Sequence, residues 1–440
     1  MTGLDRAQTP KTRPMLHKRT TLVASLDIGT SKIACMIARL KPCPPSDAFR
    51  GRSHAAELIG YGQIQSRGVK GGAVVDPNEC EHTVRQAVAL AERMAKVQVE
   101  SVLLSVSGGR PQGQMIEAAT EIRGGAVTAA DVARLTSTGM HHATGIGRTV
   151  LHALPVGYSL DGVKGVRDPK GMVARQFGVD MNVVTADATV ARNLMLVVER
   201  CHLNVEAMAA SPYVAALSVL TDDEADLGAA VVEMGAGTTT IAIYSGGRFV
   251  HASGFAVGGR HITMDLARGL SACIADAERI KTLYGTVLTG GSDTRELMSV
   301  PSARDDGLDV PQIVSRATIA NIVRHRAEEI FEMVRDRLAD SPFAAEPKAR
   351  VVLSGGASQL TGTLELATRV LNRAVRVGRP LGFSRLPNEA KSASFAVPSG
   401  LLVYPQYAHL EHVEPRYTRQ LMTGTDGYFG KVGRWLREGF

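Results

Sequence analysis

The chain has 440 residues, 44% of them hydrophobic and 21% charged, with a formal net charge of +7. That length suggests about two to four domains, and the balance excludes wholesale disorder while leaving room for an anionic partner. Five cysteines (Cys35, Cys43, Cys80, Cys201 and Cys273) are scattered without zinc spacing, so reduced thiols and a cytosolic compartment are expected. With no secretory signal and no apolar run of about 18 residues, no membrane span is expected either.

Residues 1–20 hold Lys11, Arg13, Lys18 and Arg19 beside Pro10 and Pro14, with almost no apolar pattern, and read as a flexible basic arm. There is no aromatic-basic interleaving, no helix-turn-helix and no zinc signature, so no nucleic-acid partner is expected. A strand from Leu22 to Leu26 then meets Asp27-Ile28-Gly29-Thr30-Ser31-Lys32, and a second apolar run starts at Ile33. The same device recurs about two hundred residues later. The strand Ala230 to Met234 enters Gly235-Ala236-Gly237-Thr238-Thr239, and a strand from Ile241 to Tyr244 follows. An acidic residue, Asp27 or Glu233, stands two positions before the first glycine of each copy.

Glycine turns let successive backbone N–H groups approach an anion, and the hydroxyls of Thr30, Ser31, Thr238 and Thr239 add donors for phosphate oxygens. A carboxylate at each turn suits a hydrated Mg²⁺ bridging phosphates, a role for Asp27 and Glu233 acting through water. The alternative is a pair of ordinary hairpins. Farther along, Glu278 and Lys281 share a face of a helix expected over Ala275–Tyr284. An amphipathic helix is expected over Ile313–Leu338, carrying Arg316 and Arg326. A strand Val351–Leu353 ends in Ser354-Gly355-Gly356-Ala357 before another helix, a turn at which a phosphate or flat ring could sit. No GxxxxGK[ST] occurs, which excludes a P-loop.

The tail GYFGKVGRWLREGF carries the single tryptophan. On a helical wheel Tyr428, Phe429, Val432, Trp435, Leu436 and Phe440 fall in an arc of about 140°, opposite Lys431, Arg434, Arg437 and Glu438. That is the pattern of a helix lying in a membrane interface, with cations toward anionic headgroups. A helix docked on the protein's own surface is the competing reading.

The segments SLDIGTSKIACMIA, RGVKGGAVVD, SVLLSVSGG, VVEMGAGTTTIAIYSGG, VVLSGGASQLTG and RWLREGF resemble, in this order, the FtsA family of the actin superfamily. The resemblance implies an α/β fold of two RNase H-like lobes around a nucleotide cleft, with an inserted α+β subdomain (1C) replacing actin subdomain 1B. It places the first lobe at 21–98 and 180–217, the insert at 99–179, and the second lobe at 218–410 with its smaller part at about 260–345. A linker at 411–426 and the amphipathic helix at 427–440 complete the chain.

The resemblance also implies ATP and Mg²⁺ as ligands. Asp27, Gly29, Thr30, Ser31, Lys32, Gly235, Gly237, Thr238, Thr239, Gly259, Glu278, Lys281, Gly355 and Gly356 are the nucleotide-site candidates. From spacing alone, Glu278 and Lys281 read equally well as a solvated ion pair. Implied partners are further copies of the chain, anionic lipids of the inner membrane, the acidic C-terminal peptide of the tubulin-like FtsZ, and other division proteins through 1C. Arg316 and Arg326 are candidates to meet the peptide, with solvated charges as the alternative. The implied place is the cytoplasmic face of the bacterial inner membrane at the division site. Glu233 and Thr240 stand where the family commonly has Asp, and Ser211 where related chaperones have Glu, so weak or absent ATP hydrolysis is expected. A small-molecule kinase of the same superfamily is the alternative function.

Overall fold

The computed structural model describes residues 8–12, 14–15, 18–44, 49–122, 125–288, 296–300 and 312–413. The linker beyond residue 413 and every membrane-helix candidate (Phe429, Lys431, Val432, Arg434, Trp435, Leu436, Arg437 and Phe440) lie outside the described residues.

Strands β1 (Thr21–Ile28), β2 (Lys32–Pro42) and β3 (His54–Gln65) form an antiparallel meander, followed by the small ladder β4 (Val69–Lys70) and β5 (Ala73–Val74). Helix α1 (Pro77–Ala95) starts where the Asp76 carboxylate accepts from the N–H groups of Asn78 and Glu79, with Pro77 supplying a pre-set φ at the first turn. Strand β6 (Ser101–Val106) then returns parallel to β1.

The chain leaves this lobe through β7 (Gln112–Glu121), α2 (Ala129–Ala143), β8 (Arg148–Leu160), β9 (Val163–Val166) and β10 (Gln176–Asp187). These strands make a separate sheet in the order β7-β10-β8-β9, with its own core around Phe177, Met181, Leu135 and Met140. Helix α3 (Ala188–Arg200) and strand β11 (Asn204–Ala210) return to the first sheet. Helices α4 (Ser211–Val219) and α5 (Asp222–Leu227) lead into the second lobe.

There β12 (Ala229–Met234), β13 (Thr239–Ser245) and β14 (Arg248–Phe255) repeat the meander of the first lobe. Helices α6 (Gly259–Gly269) and α7 (Ile274–Tyr284), strands β15 (Leu297–Val300) and β16 (Gln312–Ser315), and helix α8 (Arg316–Ala339) follow. Strand β17 (Arg350–Ser354) runs parallel to β12, as β6 does to β1. Helix α9 (Thr363–Leu371), strands β18 (Val375–Val377) and β19 (Phe383–Ser384), and helix α10 (Ala396–Val403) complete the elements.

The first sheet has the order β11-β6-β1-β2-β3-β19 and the second β14-β13-β12-β17-β18. Their central strands are apolar on both faces, as strands covered from both sides must be. In β12, Ala229 and Val231 face the core shared with the first lobe, while Ala230, Val232 and Met234 face the core under α6, α8 and α9. Helices α4 and α10 are buried all round and cross between the two lobes. At the crossing a Cβ on Gly400 would lie 1.7 Å from the Val214 carbonyl oxygen, so only glycine permits that approach.

Three expected boundaries move. Ser101–Val106, assigned to the insert, is a buried strand hydrogen-bonded between β1 and β11 in the first sheet. The insert's sheet runs on to Asp187 rather than stopping at 179, because β10 pairs along its whole length with β7 and β8. The segment after about residue 381, assigned to the second lobe, packs on the first: β19 pairs with β3, and Phe395, Leu401 and Leu402 join the first core.

The basic arm is a fourth correction over its described part. Gln8, Thr9, Lys11 and Thr12 are buried. Thr9 N–H donates to the Val150 carbonyl at 3.0 Å, Met208 N–H to the Pro10 carbonyl at 3.0 Å, and Thr12 Oγ1 to Glu206 at 2.5 Å. Lys11 Nζ donates to the Leu151 carbonyl and pairs with Glu411 at 2.8 Å, both side chains being 1% exposed. His412, inside the expected linker, donates its N–H to the Ala153 carbonyl at 2.8 Å. The two ends of the described chain thus meet at the seam between the first lobe and the insert. A polar composition concealed this, because the partners stand about four hundred residues apart in sequence.

Candidate nucleotide cleft

The first two strands of each meander are joined by a turn closed by the same bond. Gly29 N–H donates to the Lys32 carbonyl at 3.0 Å, and Gly235 N–H to the Thr238 carbonyl at 2.8 Å. The turns face each other across the lobes. A Cβ on Gly237 would stand 2.3 Å from Thr30 Oγ1 and 3.0 Å from the Gly71 nitrogen. Gly72 N–H donates to Thr30 Oγ1 at 3.2 Å, which brings the β4–β5 ladder to the same place. The third turn joins them: Gly355 has φ +85°, and a Cβ there would lie 2.4 Å from the Met234 carbonyl oxygen and 2.8 Å from Glu233 Oε1. Gly356, next along, opens the short 3-10 turn at the end of β17.

The acidic pair is electrostatically unusual. Burial and the Asp27 carboxylate push Glu233 up to about 8, against a Thr240 hydroxyl bond at 3.4 Å and the Lys32 charge. Burial raises Asp27, against the Ser105 hydroxyl donating at 2.6 Å and Lys32. Burial brings Lys32 down to about 8, against the pull of Asp27 and Glu233. Two buried carboxylates, both held above their ordinary range, suit a dication between them. Among the described residues no group of three or more His, Cys, Asp or Glu could hold a metal. This donor set therefore fits a Mg²⁺ that takes most of its ligands from phosphate and water, and does not form an all-protein cage.

Not every candidate donor is free. The Thr239 hydroxyl donates to the Val257 carbonyl at 2.8 Å, so it cannot donate to a phosphate as expected. Gly259 spends its N–H on the Gly235 carbonyl at 2.9 Å, and Arg260 its own on Ala236 at 2.7 Å. The start of α6 is thus seated on the second turn. A Cβ on Gly259 would lie 3.0 Å from Ala357 Cβ, beside the third turn.

Glu278 and Lys281 pair at 2.7 Å, and Lys281 Nζ also donates to Thr263 Oγ1 at 2.8 Å and to the Gly259 carbonyl at 3.2 Å. The pair fastens α7 to α6 and is no freely solvated ion pair. Ser31 is exposed, Thr30 and Thr238 are buried, and Ser211 is buried with its hydroxyl unpartnered among the described residues.

Arg316 pairs with Glu296 at 2.8 Å, and Arg326 pairs with Asp265 and Glu329, each at 2.6 Å. Arg316 and Arg326 are therefore paired within the chain and are not simply solvated charges. The sequence reading missed Ser105, Ser394 and Phe395. The first lies within the SVLLSVSGG run, whereas no local signal marks the other two.

Family models for "Cell division protein FtsA" and "SHS2 domain inserted in FTSA" match residues 230–400 and 108–185. The chain is 45% identical over 431 residues to the cell division protein FtsA of Rhizobium meliloti (strain 1021), covering 98% of each. It is 30% identical to that of Escherichia coli (strain K12), covering 95% of this chain and 98% of the relative. Among solved structures it resembles the PilM-PilN type IV pilus biogenesis complex, with TM-score 0.59, 15% identity and 87% and 98% coverage. It also resembles MreB5 of Spiroplasma citri bound to ADP, with TM-score 0.50, 14% identity and 88% and 95% coverage. These two likenesses speak for the fold alone. No helix among the described residues is long and apolar enough to cross a membrane. The relatives at this identity and coverage, together with the inserted SHS2 domain, make the chain a member of the FtsA family of bacterial cell-division proteins.

Proposed function

We propose that the chain is an actin-like adaptor of the division machinery that binds Mg·ATP between its opposed hairpin turns. The single observation behind this reading is the meeting of Thr30 and Gly237, which brings two amide-rich turns and two raised carboxylates to one place. Thr30, Ser31, Gly237 and Thr238 would hold the phosphates, with Gly29 and Gly235 closing the turns that present them. Asp27 and Glu233 would hold Mg²⁺ through water, and Gly259, Glu278, Lys281, Gly355 and Gly356 would border the nucleoside. Mg²⁺, when bound, would offset part of the negative charge of the phosphates and the two acids. Ser211, in the place of a carboxylate, offers no general base, so hydrolysis is slow or absent.

Nucleotide-dependent closure of the lobes about the α4–α10 crossing would then set contacts between copies of the chain. The outward partners are the C-terminal peptide of FtsZ, received by the small part of the second lobe, other division proteins meeting the insert, and anionic lipids under residues 427–440. This places the protein peripherally on the cytoplasmic face of the inner membrane at the division site. The test is titration of Mg·ATP into wild type and Gly237→Val. The wild type is expected to bind, and the variant to lose at least tenfold in affinity because a branched side chain would occupy the Thr30 position. Equal affinity would refute the site.

A further inference from the structure

Lys32 opens β2 at the first turn, among the residues assigned above to the cleft. Its ammonium donates to the Ser394 carbonyl at 2.8 Å and to Ser394 Oγ at 3.1 Å, and stands 3.4 Å from the centroid of the Phe395 ring. A cation so placed over a ring is held by its negative face as well as by the two oxygens. The ring itself is fixed, packing edge-on against Tyr61 at 5.5 Å, and Ser394 Oγ meets Ser392 Oγ at 2.8 Å. The adjoining carbonyl, Ala393, accepts the N–H of Gly355 at 3.0 Å. A chain of contacts therefore runs from Lys32 in the first lobe, through residues 392–395, to the third turn in the second.

Two of the three ammonium hydrogens are engaged by Ser394. A lysine swung onto a phosphate would give up both bonds and the ring contact. The cost of that exchange falls on residues 393–395, whose Ala393 carbonyl holds Gly355, and Gly355 is packed too closely against the Met234 carbonyl to follow freely.

We propose that Lys32 is a positioning residue for the nucleoside end of the site, holding residues 392–395 so that the Gly355–Gly356 turn is seated for adenosine, and that it is not a phosphate ligand. This rests on the nucleotide reading above. A positioning residue of this kind changes affinity for every adenine nucleotide by one factor, whatever the number of phosphates. A phosphate ligand instead weakens ATP more than ADP, and ADP more than AMP.

The experiment measures competition of ATP, ADP and AMP against a fluorescent ATP analogue, in wild type and in Lys32→Met, Lys32→Arg and Phe395→Leu. Thermal unfolding is recorded alongside. Lys32→Met is expected to weaken all three nucleotides about tenfold with their affinity ratios preserved. Phe395→Leu should weaken them in the same ratio by a smaller factor. Lys32→Arg should recover most of the loss, because a guanidinium can donate to the Ser394 oxygens and stack on the ring. Ratios that collapse toward one in Lys32→Met would make Lys32 a phosphate ligand and overturn the proposal. So would a lowered melting temperature with all three affinities unchanged, which marks a purely structural contact. If Lys32→Met does not fold, the Phe395→Leu ratios decide in the same way. Failure of wild type to bind any of the three refutes the nucleotide reading itself, an outcome distinct from these.

Discussion

Among the described residues, two buried ionic clusters differ in what burial does to them. At the seam of the first lobe and the insert, burial alone would raise Glu411, but Lys11 and His152 outweigh it and hold the carboxyl down at about 2. Burial and the Lys11 charge press His152 down to about 4, so it is neutral. Its Nε2 accepts the Ala210 N–H at 2.8 Å, which puts the ring proton on Nδ1, where it is donated to Glu411 Oε1 at 2.8 Å. Opposite charges are matched one to one, Lys11 facing Oε2 of Glu411 and His152 its Oε1. In the cleft, two acids share one lysine, and Glu233 is driven up to about 8. A cluster complete within itself serves the fold, whereas one left with unbalanced like charges is suited to an outside cation.

The comparison can be broken most forcefully at Lys11. Lys11→Met leaves a buried carboxylate without its cation, and is expected to destabilise the protein by about 3–5 kcal/mol in urea unfolding. The double variant Lys11→Met/Glu411→Met should recover most of that loss, since apolar groups of similar volume often replace a buried pair without cost. A single variant as stable as wild type would show that the seam is not held by this pair.

Acid provides the next test. A His whose folded pKa is depressed contributes stability present above its unfolded value of about 6.5 and lost as pH falls toward 4. Glu411, also depressed, adds a further loss from about 4.5 down to 2. The first window is expected to cost about 3 kcal/mol between pH 7 and pH 4, measured by urea unfolding at each pH. In Glu411→Gln the second window should vanish.

The cleft should respond with the opposite sign. A carboxyl raised in the folded state favours folding most at low pH, and its contribution declines as pH rises from about 4.5 to 8. Glu233→Gln is therefore expected to stabilise the nucleotide-free protein by about 2 kcal/mol at pH 7, with little change at pH 4.5. A loss of stability at pH 7 would place Glu233 with the structural cluster.

These two clusters also mark what a sequence discloses. The hairpin turns were legible because an acid, a glycine two positions on and a pair of hydroxyls sit within a few residues of one another and occur twice. The pairing of Lys11 with Glu411 was not, since each looks like an ordinary solvated charge until the fold brings the chain ends together. The apolar run Ser101–Val106 fits either neighbouring sheet, and only its pairing with β1 and β11 assigns it to the first lobe. The reach of residues 392–395 across the cleft depends on α10 packing under the first sheet, a contact with no local signature.

The central claim is that two facing turns grip one triphosphate. A crystal structure with Mg²⁺ and a non-hydrolysable ATP analogue tests it most directly. Phosphate density between Thr30 and Thr238, with Mg²⁺ on the side of Asp27 and Glu233, is the result expected. Nucleotide density anywhere else on the molecule would contradict it.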